Sequence, residues 1–213
     1  MTRTYAIASV ILIAALLLGA LAAIALGRMG QAADADPFGQ CRATNVVGGA
    51  GAIGGPFTLV SETGETVTDT DVITEPTLVY FGYTFCPDVC PLDTVRNAEA
   101  VDILDGQGMQ TQPVFITIDP QRDTPEVVEQ FTANIHERML GLTGTPEQTD
   151  AAADAYRVYY RSHDDGSDPY YLVDHTAFTY LVLPEHGFVE FFPREVTPSE
   201  MADGVACFIE AAS

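Results

Sequence analysis

Two unbroken apolar runs constrain the fold of this chain more than any other feature. Thr77-Leu-Val-Tyr-Phe81 and Pro113-Val-Phe-Ile-Thr-Ile-Asp119 are β-branched and aromatic, the composition of strands buried inside a sheet. Between them Val89, Leu92, Val95, Ala98, Val101 and Leu104 recur at helical spacing after Asp88. That spacing predicts a helix capped by Asp88, running to about Asp105, with those residues on its apolar side. Strand, helix and strand in this order make a right-handed parallel βαβ unit.

The flanking segments extend that unit. Phe57-Thr-Leu-Val60 and Thr66-Val-Thr68 surround a glycine loop and predict a hairpin. Asp123-Thr-Pro-Glu predicts a second helix, capped by Asp123 or Thr124, with Pro125 in its first turn and Val127, Val128 and Phe131 on its apolar side. Phe178 to Leu183 and Phe188 to Phe192 flank Pro-Glu-His-Gly as an antiparallel hairpin, and a last helix starts near Ser199. The expected fold is therefore α/β and thioredoxin-like, a central mixed sheet flanked by helices, with no internal repeat.

The chemistry concentrates at the end of the first buried strand. Cys86 and Cys90 stand in Phe-Cys86-Pro-Asp-Val-Cys90-Pro91, in the strand-to-helix turn. Pro91 is harmless only in a first helical turn, where its missing N–H would be unpaired in any residue, so Cys90 lies in that turn. Residues i and i+4 share a helical face, and unpaired amides with the positive end of the helix dipole favour thiolates. Two polarised sulfurs on one face can close a disulfide or clasp a soft metal.

The ends of the chain place this domain. Tyr5 to Gly27 carries no charge and is rich in Ala, Leu and Ile, a length matching the ~20 residues that cross a bilayer. The expectation is a single-pass anchor over residues 1–32, uncleaved in preference to cleaved near Ala32 or Ala33, with Arg3 left inside. Residues 33–56 are polar and glycine-rich and read as a tether, and 57–213 as one domain. All 30 acidic residues and seven of the nine arginines lie beyond residue 33, with no lysine, so the exported part carries 7 − 30 = −23 charges. Such acidity repels phosphate backbones, which argues against a nucleic-acid partner. It suits solubility or a basic partner surface. Cys41 and Cys207, at opposite ends of the exported part, are compatible with a structural disulfide in an oxidising compartment, the alternative being two separate buried thiols.

Three histidines have ordinary surroundings: His136 on a polar helix face, His163 in an acidic loop, His186 in a hairpin turn. His175 follows Asp174 just before a strand expected in the same sheet as the strand delivering Cys86. A lone histidine beside an aspartate is more often structural than a ligand. The surrounding motifs reverse that expectation. Gly82-Tyr-Thr-Phe-Cys86-Pro-Asp-Val-Cys90-Pro91, Asp119-Pro-Gln-Arg122-Asp-Thr-Pro125, and Asp174-His175 followed by Tyr180-Leu-Val-Leu-Pro184 and Gly187 together resemble the Sco/SenC copper chaperones, in order, over roughly residues 55 to 195.

The resemblance implies a membrane-anchored metallochaperone rather than an enzyme. It implies one copper ion, as Cu(I) or Cu(II), on Cys86, Cys90 and His175, and support for assembly of the copper centre of cytochrome c oxidase. Its partners would be the copper-bearing oxidase subunit, a copper donor and a thiol reductant. Its place would be the bacterial inner membrane with the soluble domain facing the periplasm. Two thiolates and an imidazole independently suit copper, with zinc lower in the affinity order. Oxidation of Cys86 and Cys90 to a disulfide would exclude metal. Asp119, Arg122 and Asp174 are candidates for supporting the ligands, though Asp119 and Arg122 equally suit capping and Asp174 equally suits solvent. Two alternatives use the same thiols: an oxidoreductase with Cys86 attacking and Cys90 resolving, and a redox sensor. Three intervening residues instead of two, and a histidine facing the pair, weigh against general redox catalysis.

Overall fold

The structure is a computed structural model that describes residues 17–21, 36–44 and 50–213. The chain divides into two units, Met1–Gln40 and Cys41–Ser213. In the first, residues 17–21 are helical, and the rest of the expected anchor Tyr5–Gly27 lies outside the described residues. Among the described residues no helix is long and apolar enough to cross a membrane.

The second unit is built on a seven-stranded mixed sheet. Its strands are β1 (Thr58–Ser61), β2 (Thr66–Thr68), β3 (Thr77–Gly82), β4 (Gln112–Thr117), β5 (Leu140–Thr143), β8 (Thr179–Leu183) and β9 (Gly187–Phe192), in the order β2-β1-β5-β4-β3-β8-β9. β3 and β4 are parallel, with Thr77 opposite Gln112 and Gly82 opposite Thr117. β8 runs antiparallel to β3 and β9 antiparallel to β8. Every residue of β3 and β8 is buried, as expected of central strands covered on both faces. The helices are α1 (Asp69–Val72), α2 (Val89–Gly106), α3 (Pro125–Ala133), α4 (Pro146–Ala155) and α5 (Pro198–Ala211). This is a thioredoxin-like α/β fold with an added hairpin, β1–β2, at one edge.

Four features depart from or add to the sequence reading. First, α2 buries Ala98, Val101 and Leu104 of the expected apolar side but not Leu92 and Val95, which are 61% and 43% exposed. It turns inward Cys90, Asp93, Asn97, Val101 and Leu104, which are spaced as one helical face. Hydrogen bonds make that polar face tolerable. The Tyr80 hydroxyl donates to Asp93 at 3.1 Å, Arg96 to the Thr179 hydroxyl at 2.8 Å, and Thr179 to Asn97 at 2.9 Å. Second, β5 and α4 fill the stretch between α3 and the acidic loop. α4 reads Pro-Glu-Gln-Thr-Asp-Ala-Ala-Ala-Asp-Ala, which signals a helix through its Thr145 capping box rather than an apolar stripe.

Third, much of the tether is docked. Cys41 is joined to Cys207 of α5. The carboxylate of Glu190, 1% exposed in β9, accepts from the Ala43 and Thr44 amides at 2.9 and 3.3 Å. Further along, the Gly54 amide donates to Ala155 carbonyl at 2.8 Å and Arg157 to Ala52 carbonyl at 3.2 Å. A buried carboxylate must be satisfied, and this segment supplies its donors. Fourth, the strand after His175, β8, lies beside β3 in the main sheet as expected, while His175 itself ends a two-stranded sheet, β6 (Tyr160–Ser162) with β7 (Val173–His175), separate from the main sheet. The histidine thus stands on an excursion leading into β8.

Candidate metal centre

Gly82 closes β3 where the sheet meets the cysteine turn. A Cβ there would stand 2.9 Å from the Tyr80 ring, 3.0 Å from Cys90 Sγ and 3.1 Å from the Phe115 ring. Those distances leave no room for a side chain, so glycine lets the Cys90 sulfur settle against the strand. The chain then turns through Tyr83 to Phe85 and enters α2. Cys86 and Cys90 are free thiols, 8% and 0% exposed. The Cys90 amide points at Cys86 Sγ at 3.4 Å, one of the unpaired N–H groups of the first helical turn.

The two thiols are not polarised equally. Cys86 is held far below the usual thiol range, chiefly because the Cys90 S–H donates to it, with the first-turn amides and His175 adding to the effect. The same bond, together with burial, pushes Cys90 upward. Cys86 is thereby the more acidic of the two thiols.

His175 Nε2 lies 3.4 Å from Cys90 Sγ. Its Nδ1 lies 3.1 Å from the Thr176 carbonyl oxygen, which can only accept. Nδ1 is therefore the ring nitrogen that donates to the backbone, and Nε2 is the one that faces the sulfurs. Tyr80 and Tyr83 present their rings edge-on to the imidazole at centroid distances of 6.2 and 6.1 Å. Among the described residues no three His, Cys, Asp or Glu side chains form a ready-made metal cage. The three candidates meet pairwise around Cys90, packed as a reduced, desolvated cluster.

The flanking candidates take different places. Asp174 turns away from the histidine ring, because consecutive strand residues face opposite sides. Its carboxylate meets His163 Nε2 at 2.8 Å in the exposed loop. Asp119 and Arg122 form an ion pair at 2.5 Å, and Arg122 lies over Tyr83 and Phe85 of the cysteine turn.

Sequence reasoning offered Asp123 or Thr124 as the helix cap and missed what Asp123 does instead. Thr124 is the N-cap. Asp123, fully buried, accepts from the Thr84 amide at 3.0 Å, the Thr84 hydroxyl at 2.5 Å and the Thr117 hydroxyl at 2.6 Å. It thereby clamps the turn before Cys86 to the end of β4, although burial raises the pKa of its carboxyl. A capping motif masks such a role, because Asp-Thr-Pro is satisfied locally on paper. Asp123→Asn should cost about 1–3 kcal/mol, since the amide group cannot accept all three hydrogen bonds. Urea unfolding checks the stability. Faster alkylation of Cys86 in the folded variant checks the loosening of the turn.

The site sits in a recognised family setting. The SCO1/SenC family model matches residues 47–210. Protein SenC of Rhodobacter capsulatus is 56% identical over 179 residues, covering 84% of this chain and 80% of SenC. Protein SCO1 homolog 1, mitochondrial, of Arabidopsis thaliana is 42% identical over 159 residues, 74% of this chain. That alignment takes in 47% of the plant protein, so the chain spans about half the length of this relative. The crystal structure of Arabidopsis thaliana ScoI with copper bound is 40% identical, with a TM-score of 0.70, covering 75% of this chain and 99% of that one.

Proposed function

The chain belongs to the SCO1/SenC family, and from that premise we propose that it carries one copper ion on Cys86, Cys90 and His175 as cargo for the copper centre of cytochrome c oxidase. The observation that carries this reading is the Cys90–His175 contact of 3.4 Å, which sets the imidazole Nε2 against the thiol cluster. Two sulfurs and one imidazole nitrogen are soft to borderline donors, a set that suits Cu(I). Both sulfurs would bind copper as thiolates, so loading would release protons and depend on pH. Copper-bound relatives of this family support the choice of cargo. The Tyr5–Gly27 segment would anchor the protein as a single-pass inner-membrane chain with its domain in the periplasm, confining it near a membrane-bound recipient and raising effective concentration.

The test is metal analysis of the reduced exported portion beside oxidase activity in cells lacking the protein. The expected result is one copper per chain and an oxidase defect restored by the wild-type gene. Reduced, folded protein that takes up no copper would overturn the reading. The depressed thiol of Cys86 favours a second reading, a thiol:disulfide oxidoreductase or redox sensor with Cys86 as the attacking sulfur. The arms then diverge. An oxidoreductase keeps most of its exchange rate in His175→Ala, and its loss from cells is restored by that variant, whereas a copper carrier is not.

A further inference from the structure

We propose that Arg122 is the positioning residue that holds the His175 excursion against the cysteine turn, and so sets how firmly the imidazole is available to copper. This rests on the three-donor reading above. Arg122 lies in the β4–α3 connection, which carries no ligand, yet its guanidinium touches both segments that do. It stands 3.6 Å from the ring centroid of Tyr171 and donates to the Pro169 carbonyl at 3.1 Å. Those residues precede His175 by four and six positions. On its other side it lies 4.8 Å from the Phe85 ring and 5.7 Å from the Tyr83 ring. Phe85 adjoins Cys86.

The carboxylate of Asp119 closes the cluster. One oxygen accepts from Arg122 Nε at 2.5 Å and the other from the Tyr171 hydroxyl at 2.7 Å. The cation and the aromatic residue on the excursion are therefore fixed to one acceptor at the end of β4. Arg122 Nη2 is buried without a hydrogen bond, so stacking on aromatic faces does much of the holding, as a planar guanidinium permits and an ammonium does not. The topology gives the contact its importance. Cys86 and Cys90 ride on the main sheet and α2, whereas His175 belongs to the separate β6–β7 pair. The histidine's distance from the sulfurs depends on what fastens that pair, and Arg122 is the charged group common to both sides.

The experiment uses the reduced full-length chain with Arg122→Ala, Tyr171→Leu, His175→Ala and the Arg122→Ala/His175→Ala double variant. In the copper-free protein, amide hydrogen exchange over residues 160–175 should rise several-fold in Arg122→Ala and Tyr171→Leu, with the β3 and β4 amides unchanged. Copper affinity should fall roughly 10–100-fold, the range for partners that orient a ligand. Nitrogen hyperfine coupling in the Cu(II) spectrum should weaken. In the His175→Ala background, Arg122→Ala should cost nothing further. Unchanged exchange over 160–175 in both variants overturns the proposal, as does an equal copper loss with and without His175, which would mark a general structural defect. If His175→Ala itself leaves copper affinity unchanged, the three-donor reading fails, and the copper-free exchange result still decides whether Arg122 is the latch. If Arg122→Ala does not fold, Tyr171→Leu decides in its place.

Discussion

Replacing His175 by Ala should lower Cu(I) affinity more than ~100-fold, beyond the loss expected when only a partner orienting a ligand is removed. Cys86→Ala and Cys90→Ala should do at least as much. The three variants remove different things. Without His175 the dithiol remains, so residual two-sulfur binding persists and the Cu(I) competition curve shifts without vanishing. Without Cys86 the more acidic thiol is gone. Without Cys90 the sulfur touching His175 Nε2 at 3.4 Å is gone, and with it the S–H that holds the Cys86 thiol down. The alkylation rate of Cys86 near neutral pH should therefore fall in Cys90→Ala, a readout that needs no copper. Cu(I) competition titration against a chelator of known affinity measures the first effect. Unchanged affinity in His175→Ala would remove the histidine from the site.

These variants also bear on what the sequence can disclose. The cysteine turn was legible because each step was local: a buried strand, a proline in a first turn, and two cysteines close enough in sequence to meet, although Cys86 lies in the turn before the helix and not on its face. His175 was not legible in that way. It lies 85 residues from Cys90, on a strand outside the main sheet, and only the motifs shared with a known family singled it out. Asp174 shows the limit from the other side, since adjacency in sequence suggested a partner while strand alternation sends its carboxylate to His163. In α2, apolar spacing marked Leu92 and Val95 as inward. Yet the buried face is the one whose Asp93, Arg96 and Asn97 find partners on β3, β8 and the segment after β9. Periodicity counts apolar residues, and it cannot see a hydrogen bond made across 82 or 83 residues of chain.

Removing the Cys41–Cys207 disulfide should have the largest effect on stability. The bond joins residues 166 apart in sequence. Constraining a loop of that length in the unfolded chain contributes ~5 kcal/mol in the entropy model, with 2–5 kcal/mol the usual measured loss. For a domain of this size each kcal/mol moves Tm by roughly 2–4 °C, so Cys41→Ser/Cys207→Ser should melt ~10 °C lower. The loss has a structural location. The disulfide holds Cys41 beside the Ala43 and Thr44 amides that satisfy Glu190. Release of this segment would take those donors from a carboxylate that is 1% exposed while the segment is docked, leaving the Phe191 amide and whatever water reaches it to satisfy the charge. A triple variant that also carries Glu190→Gln should therefore recover part of the stability, because a neutral amide is cheaper to leave buried than a carboxylate. Copper stoichiometry should stay at one per chain throughout, since neither thiol is among the three proposed donors. Differential scanning calorimetry of the serine pair checks the first expectation. An unchanged Tm would mean that contacts on β9 and α5 hold the segment without the covalent bond.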